Sequence, residues 1–137
     1  MSDSKVQVIK RYYEQLFNEG ELELVDELLH PDYVNHSPGS PEQPRNRAAV
    51  KDVVRELRDA FPDLHYTIEQ LVVGEDSVAV RTTLRGTQCG PFYGNPPSKR
   101  SVEVSQITIE RFLEGRIVAH HRLTDELALL RQLGLIG

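Results

Sequence analysis

Up to Ala60 the apolar residues of this chain recur with the period of a helix, and from His65 onward they mostly alternate with the period of a strand. Val6, Ile9, Tyr13, Leu16 and Phe17 form a first helical stripe, with Ser2, Asp3 and Ser4 as N-cap residues and Asn18 and Gly20 as its stop. Leu24, Val25, Leu28 and Leu29 mark a shorter helix over 22–29, closed by His30-Pro31 because a residue before proline disfavours the α region. An extended piece over 32–36 and a proline-rich loop over 37–44 follow. Val50, Val53, Val54, Leu57 and Ala60 then give the clearest helical face, with Asn46 to cap it and Phe61-Pro62 to end it.

The second half predicts four strands. Segments 65–73 and 77–85 flank Gly74-Glu75-Asp76, a hairpin signal. Segments 102–113 and 116–124 flank Glu114-Gly115, and a last helix spans 126–133. Between the hairpins, 86–99 holds three glycines and three prolines and is the longest irregular stretch. Its Gly90-Pro91-Phe92-Tyr93-Gly94-Asn95-Pro96-Pro97 run reads equally as a lid over a pocket or as a structured hairpin connection. In 102–113 the apolar phase slips, from Val102 and Val104 to Ile107 and Ile109, which calls for a bulge or a switch of buried face. Helices first and an antiparallel meander afterwards make an α+β order, and one domain, 1–137, is the natural reading of 137 residues. A strongly curved sheet wrapped around the N-terminal helices would enclose a pocket.

Composition removes several classes of function. Cys89 is the single cysteine, so an intrachain disulfide and a cysteine-rich zinc site are excluded. The net charge of -5 and the scattered basic residues argue against a nucleic-acid partner. No apolar run reaches the length of a membrane span or follows the pattern of a signal peptide, so a cytoplasmic protein is expected. Phosphate-loop, dinucleotide, zinc-protease and nucleophile-elbow motifs are absent, and a site without metal or cofactor is the simpler expectation.

Candidate chemistry gathers near the C-terminus. Asp125, at the end of the last strand, reads either as a general acid/base whose pKa apolar neighbours would raise, or as the N-cap of the last helix. His120 and His121 fall on opposite faces of that strand, and parity groups His121 with Leu123 and Asp125. Tyr13 lies on the first apolar stripe and Tyr12 off it, so the Tyr13 hydroxyl needs a buried partner or a pocket. Gln106 and Arg81 interrupt otherwise apolar strand faces; each is either paired inside or solvated on the outer face of the sheet. His36, beside the proline-rich loop, reads as surface or as part of a site.

Five segments in order resemble the SnoaL-like polyketide cyclase (ester cyclase) family of the nuclear-transport-factor-2-like superfamily. They are Tyr12-Tyr13-Glu14 with Phe17-Asn18-Glu19-Gly20, Leu28 to Pro38, Ala60-Phe61-Pro62-Asp63-Leu64, Arg85-Gly86-Thr87 through Pro96-Pro97, and Gly115 to His121 followed by Asp125 and Gln132-Leu133-Gly134. The resemblance implies a cone-shaped α+β barrel with one pocket, often in dimers or larger assemblies. It implies ring closure by intramolecular aldol condensation on a polycyclic, ester-bearing substrate, without metal or cofactor. Asp125 would be the catalytic acid/base and His120 its motif histidine, while His36, Tyr13, Gln106 and His121 would bind substrate. His121 stands where the family commonly has tryptophan, which would make the pocket more polar. Because the superfamily also holds isomerases, hydroxylase-like members and proteins without known chemistry, a binding or dimerisation module and a related isomerase or hydroxylase-like activity stand as alternatives.

Overall fold

The computed structural model describes residues 2–137, with side chains from Ser4 onward. Helix α1 (Ser2–Arg11) runs without a break into a π-helical turn, Tyr12–Phe17. Of the residues expected to cap α1, Ser2 and Asp3 have side chains outside the described residues, and Ser4 stands within the helix. The π turn corrects the expectation that only Tyr13 faces inward. Asn18 N–H donates to the Tyr13 carbonyl, five residues back, at 2.9 Å. The widened turn swings both tyrosine rings into the core, edge to face at 5.0 Å.

Helix α2 (Leu24–Leu28) is shorter than its apolar pattern, because Leu29 is already extended and opens strand β1 (Leu29–Asn35). Helix α3 (Arg47–Ala60) starts where the sequence places it: the Asn46 side chain accepts from Ala49 N–H at 3.1 Å. Strands β2 (His65–Val73), β3 (Ser77–Thr87), β4 (Ser101–Leu113) and β5 (Arg116–Thr124) follow, and helix α4 (Glu126–Gln132) closes the chain.

One five-stranded sheet has the order β1-β5-β4-β3-β2. β2 to β5 form the antiparallel meander the alternation predicts, whereas β1 joins β5 in parallel, so the sheet is mixed rather than wholly antiparallel. One face packs on the helices through Ile9, Leu16, Leu28, Val54, Phe61, Val78, Val80 and Ile117, all buried.

The expected break in β4 is absent. Residues with even numbers are buried and those with odd numbers exposed from one end of the strand to the other. The slip in apolar phase arises because Gln106, Thr108 and Glu110 point inward while Ile107 and Ile109 point out. The bulge lies opposite, in β5. There Arg111 pairs with Ala119 and Phe112 with Ile117, which leaves Val118 as an extra residue.

The 88–100 connection is a built structure at its base. Buried Gln88 donates to the carbonyls of Gly90 and Pro96 at 3.1 and 3.2 Å and accepts from Ser98 N–H at 3.2 Å. Cys89 and Gly90 N–H both donate to the Ala60 carbonyl, closing the end of α3. Only glycine fits at position 90, because a Cβ there would lie 2.3 Å from the Asp59 carbonyl oxygen.

Candidate active site

The concave face of the sheet, the π turn, α3, α4 and the two loops around Gly39 and Phe92 enclose a cavity of about 580 Å³. Its inner wall is aromatic. Tyr13 and Phe17 pack against Tyr66 at ring separations of 5.3 and 5.6 Å. Phe92 and Tyr93, from the tip of the 88–100 connection, line the opposite side with Val50, Val53 and Leu57. A flat apolar molecule matches such a surface.

Polar groups enter from the strands. Glu110 on β4 has 0% exposure, and His120, opposite it on β5, has 5%. The His120 Nδ1 lies 2.9 and 2.8 Å from the two Glu110 carboxylate oxygens. A buried carboxylate is costly unless paired, and here its partner is the imidazole. The same carboxylate holds one ring nitrogen and turns the other, Nε2, toward Arg122, which lines the cavity. Further along the wall, Tyr13 Oη and Thr108 Oγ1 are 3.1 Å apart, and Gln106 accepts from the Thr124 hydroxyl at 2.9 Å.

The phenols around the pair are held protonated. Burial, and then the Tyr33 and Glu110 charges, push Tyr12 well above the ordinary phenol value. Tyr13 and Tyr33 rise through burial and then Glu110. Burial takes Tyr66 up to about 12. All four remain hydrogen-bond donors over the working range of an enzyme. Among the described residues, no three His, Cys, Asp or Glu side chains are grouped so as to hold a metal ion.

The cavity therefore brings together three of the residues singled out from sequence: Tyr13, Gln106 and His120. It does not contain the other three. Asp125 is exposed, and its Oδ1 accepts from Ala128 N–H at 3.1 Å, so it caps α4 as the alternative reading had it. His121 and His36 are exposed on the outer side of the sheet, where their rings stack at 4.5 Å and 4°. Asp125, His121 and Leu123 do share a face, but it is the outer one, because the bulge at Val118 resets the alternation of β5. A histidine in place of a tryptophan at 121 thus leaves the cavity wall unchanged. Arg81 also points outward, to Gln70 at 3.2 Å.

Glu110, Arg122, Tyr33 and Thr108 were not foreseen as site residues. The signal for Glu110 and Thr108 was present: a strand with Gln, Thr and Glu at alternate positions beside an apolar opposite face reads as a lined pocket. Arg122 could be reached only with the bulge known.

A curved sheet closed by helices over one aromatic cavity, with a carboxylate–imidazole pair in its wall, defines the class as a cone-shaped α+β pocket protein. The chain belongs to the SnoaL-like polyketide cyclase family, whose sequence pattern matches residues 7–133. It is 30% identical over 120 residues to the nogalonic acid methyl ester cyclase of Streptomyces nogalater, covering 86% of this chain and 89% of that one. It is 29% identical over 136 residues to the aklanonic acid methyl ester cyclase DnrD of Streptomyces peucetius, covering 96% and 91%. Among solved structures, TsrD from Streptomyces laurentii superposes with a TM-score of 0.89 at 31% identity, over 98% of this chain and 97% of that one. IdmH from Streptomyces antibioticus superposes at 0.82 with 36% identity, over 95% and 98%.

Proposed function

We propose that this protein closes a ring by intramolecular aldol condensation on a polycyclic, ester-bearing substrate, with His120 as the general base. The buried Glu110–His120 pair carries this reading: its geometry leaves one imidazole nitrogen at the cavity wall and stabilises the imidazolium that forms when that nitrogen takes a proton. The substrate Cα–H gives its proton to His120 Nε2, and the electron pair becomes an enolate. The enolate carbon attacks a second carbonyl of the same molecule, and the new alkoxide recovers the proton from His120. Protons are moved and one carbon–carbon bond is made, with no net oxidation. Tyr13 and Gln106 orient the carbonyls, and the aromatic wall holds the rings.

The outer face of the sheet supports a homodimer. Ile107, Ile109 and Leu123 are 52%, 49% and 82% exposed, and the strand register sets Ile107 opposite Leu123 and Ile109 opposite His121.

The test is turnover of nogalonic acid methyl ester, the compound in the name of the Streptomyces nogalater relative. The wild type is expected to give a ring-closed product of unchanged mass, and His120→Gln to lower kcat by about 10²–10⁴-fold. Equal turnover by the two proteins removes the base. Ligand-induced stabilisation that is equal in both, with no product from either, moves the reading to a binding module.

A further inference from the structure

His120 Nε2, the atom that takes the proton in the reaction proposed above, faces a donor in this structure. Arg122 Nη1 lies 3.4 Å from it. A guanidinium has only donors, so the atom it faces must present a lone pair; the proton of the ring is then on Nδ1, where Glu110 accepts it. Arg122 is itself tethered: Nη2 donates to the Ser37 carbonyl at 2.7 Å, and its backbone N–H donates to Ser37 Oγ at 2.9 Å. The tether fixes one end of the guanidinium. The contact to Nε2 is long for a hydrogen bond and is easily exchanged for a better acceptor.

Among the described residues that line the cavity Arg122 is the only arginine or lysine. The groups facing His120 and Arg122 include the phenols of Tyr12 and Tyr13 from the π turn, the Tyr33 phenol from β1, the Tyr66 phenol from β2 and the Glu110 carboxylate from β4, with Glu126 at the start of α4. None of these offers a second fixed positive charge for an oxygen that becomes negative.

We propose that Arg122 has two stations, capping the lone pair of the base in the empty cavity and holding the enolate oxygen in the occupied one. A substrate carbonyl is the better acceptor, because its oxygen gains charge as the Cα–H bond breaks. When it draws Nη1 away, the lone pair on Nε2 is uncovered beside the proton it takes. The same movement thus arms the base and stabilises the product of its action, and the base stays covered while no substrate is present. This inference rests on the aldol reading above.

Arg122→Met and Arg122→Lys separate the two stations. In the empty wild-type protein, ¹⁵N NMR of labelled histidine is expected to show His120 with its proton on Nδ1 and a guanidinium proton donated to Nε2; in Arg122→Met the Nε2 resonance moves. On nogalonic acid methyl ester, Arg122→Met is expected to lose about 10²–10³-fold in kcat with little change in KM. Arg122→Lys recovers part of the loss, and added methylguanidinium restores turnover to the methionine variant, which a merely structural role of Arg122 does not predict. A methionine variant with wild-type kcat, or an unmoved Nε2 resonance, overturns the proposal. Failure of the wild type to turn the ester over removes the aldol reading itself, and is distinct from a wild type that works beside an unimpaired methionine variant.

Discussion

Replacing Glu110 by glutamine removes one charge from a fully buried place behind the cavity wall and leaves the shape nearly unchanged. Glu110 has 0% exposure, and both of its oxygens lie within 2.9 Å of His120 Nδ1. The charge-assisted hydrogen bond that is lost is worth about 1.5–3 kcal/mol. The amide also brings N–H donors into a place built for an acceptor, at about 1–3 kcal/mol more. The combined cost is about 3–5 kcal/mol. At about 3–4 °C per kcal/mol for a chain of this length, melting falls by about 10–20 °C. Turnover of the ester is expected to fall as well, because the imidazolium formed in the proposed reaction has lost its counter-charge. The partner variant, Glu110→Leu with His120→Leu, removes both groups and leaves nothing unpaired. It is expected to be more stable than Glu110→Gln and catalytically dead. Urea unfolding of the wild type, Glu110→Leu, His120→Leu and the double leucine variant measures the coupling directly. A glutamine variant within about 0.5 kcal/mol of wild type refutes the buried pair as a strong interaction. A double leucine variant weaker than the glutamine variant refutes the argument from unpaired polar groups.

Asp125→Asn is expected to keep both stability and turnover, since asparagine caps as well as aspartate, while Asp125→Ala loses about 1 kcal/mol in urea unfolding and still turns the ester over; a collapse of kcat in either variant would return the acid/base role to Asp125. Leu123→Lys with Ile107→Lys places charge at the centre of the exposed apolar face and is expected to yield a folded monomer in sedimentation, where the wild type is expected to sediment as a dimer. The four buried tyrosines predict an alkaline limit to stability. Their folded values are raised, so their contribution is complete below the ordinary phenol value of 10.0 and is lost as pH rises through the folded values, of which that of Tyr66 is about 12. Phenolate absorbance from these rings should appear together with loss of helical circular dichroism above about pH 10; ionisation of all four without unfolding would contradict their burial.

Much of the fold was legible in the chain because its periods are long and clean. The α3 stripe with Asn46 in front, and the hairpin at Gly74-Glu75-Asp76, are local signals that nothing elsewhere in the molecule overrides. β1 was visible as an extended piece, but its parallel pairing with β5 is a long-range contact that no local pattern contains. The π turn was hidden for a related reason: Tyr12 and Tyr13 both reach the core only because the hydrogen bond closes five residues back, and the neighbours that reward it, Tyr66 and Thr108, come from strands far along the chain.

The site was harder to read because its residues are sorted by a single extra residue. Ile117 points inward opposite Phe112, and simple alternation from there would turn Ala119 and His121 inward too. Val118 is the additional residue that lets Ala119 face Arg111 and puts His120, not His121, opposite Glu110. The same shift sends His121, Leu123 and Asp125 to the outer face, where Asp125 is free to cap α4. A bulge or a switch of buried face was expected from the uneven pattern of 102–113, but neither occurs there: β4 keeps strict alternation, and its polar inner row only looks like a slipped apolar one. The unevenness in β4 and the bulge in β5 are thus two separate facts. One marks a wall that carries polar groups, and the other decides which imidazole reaches them.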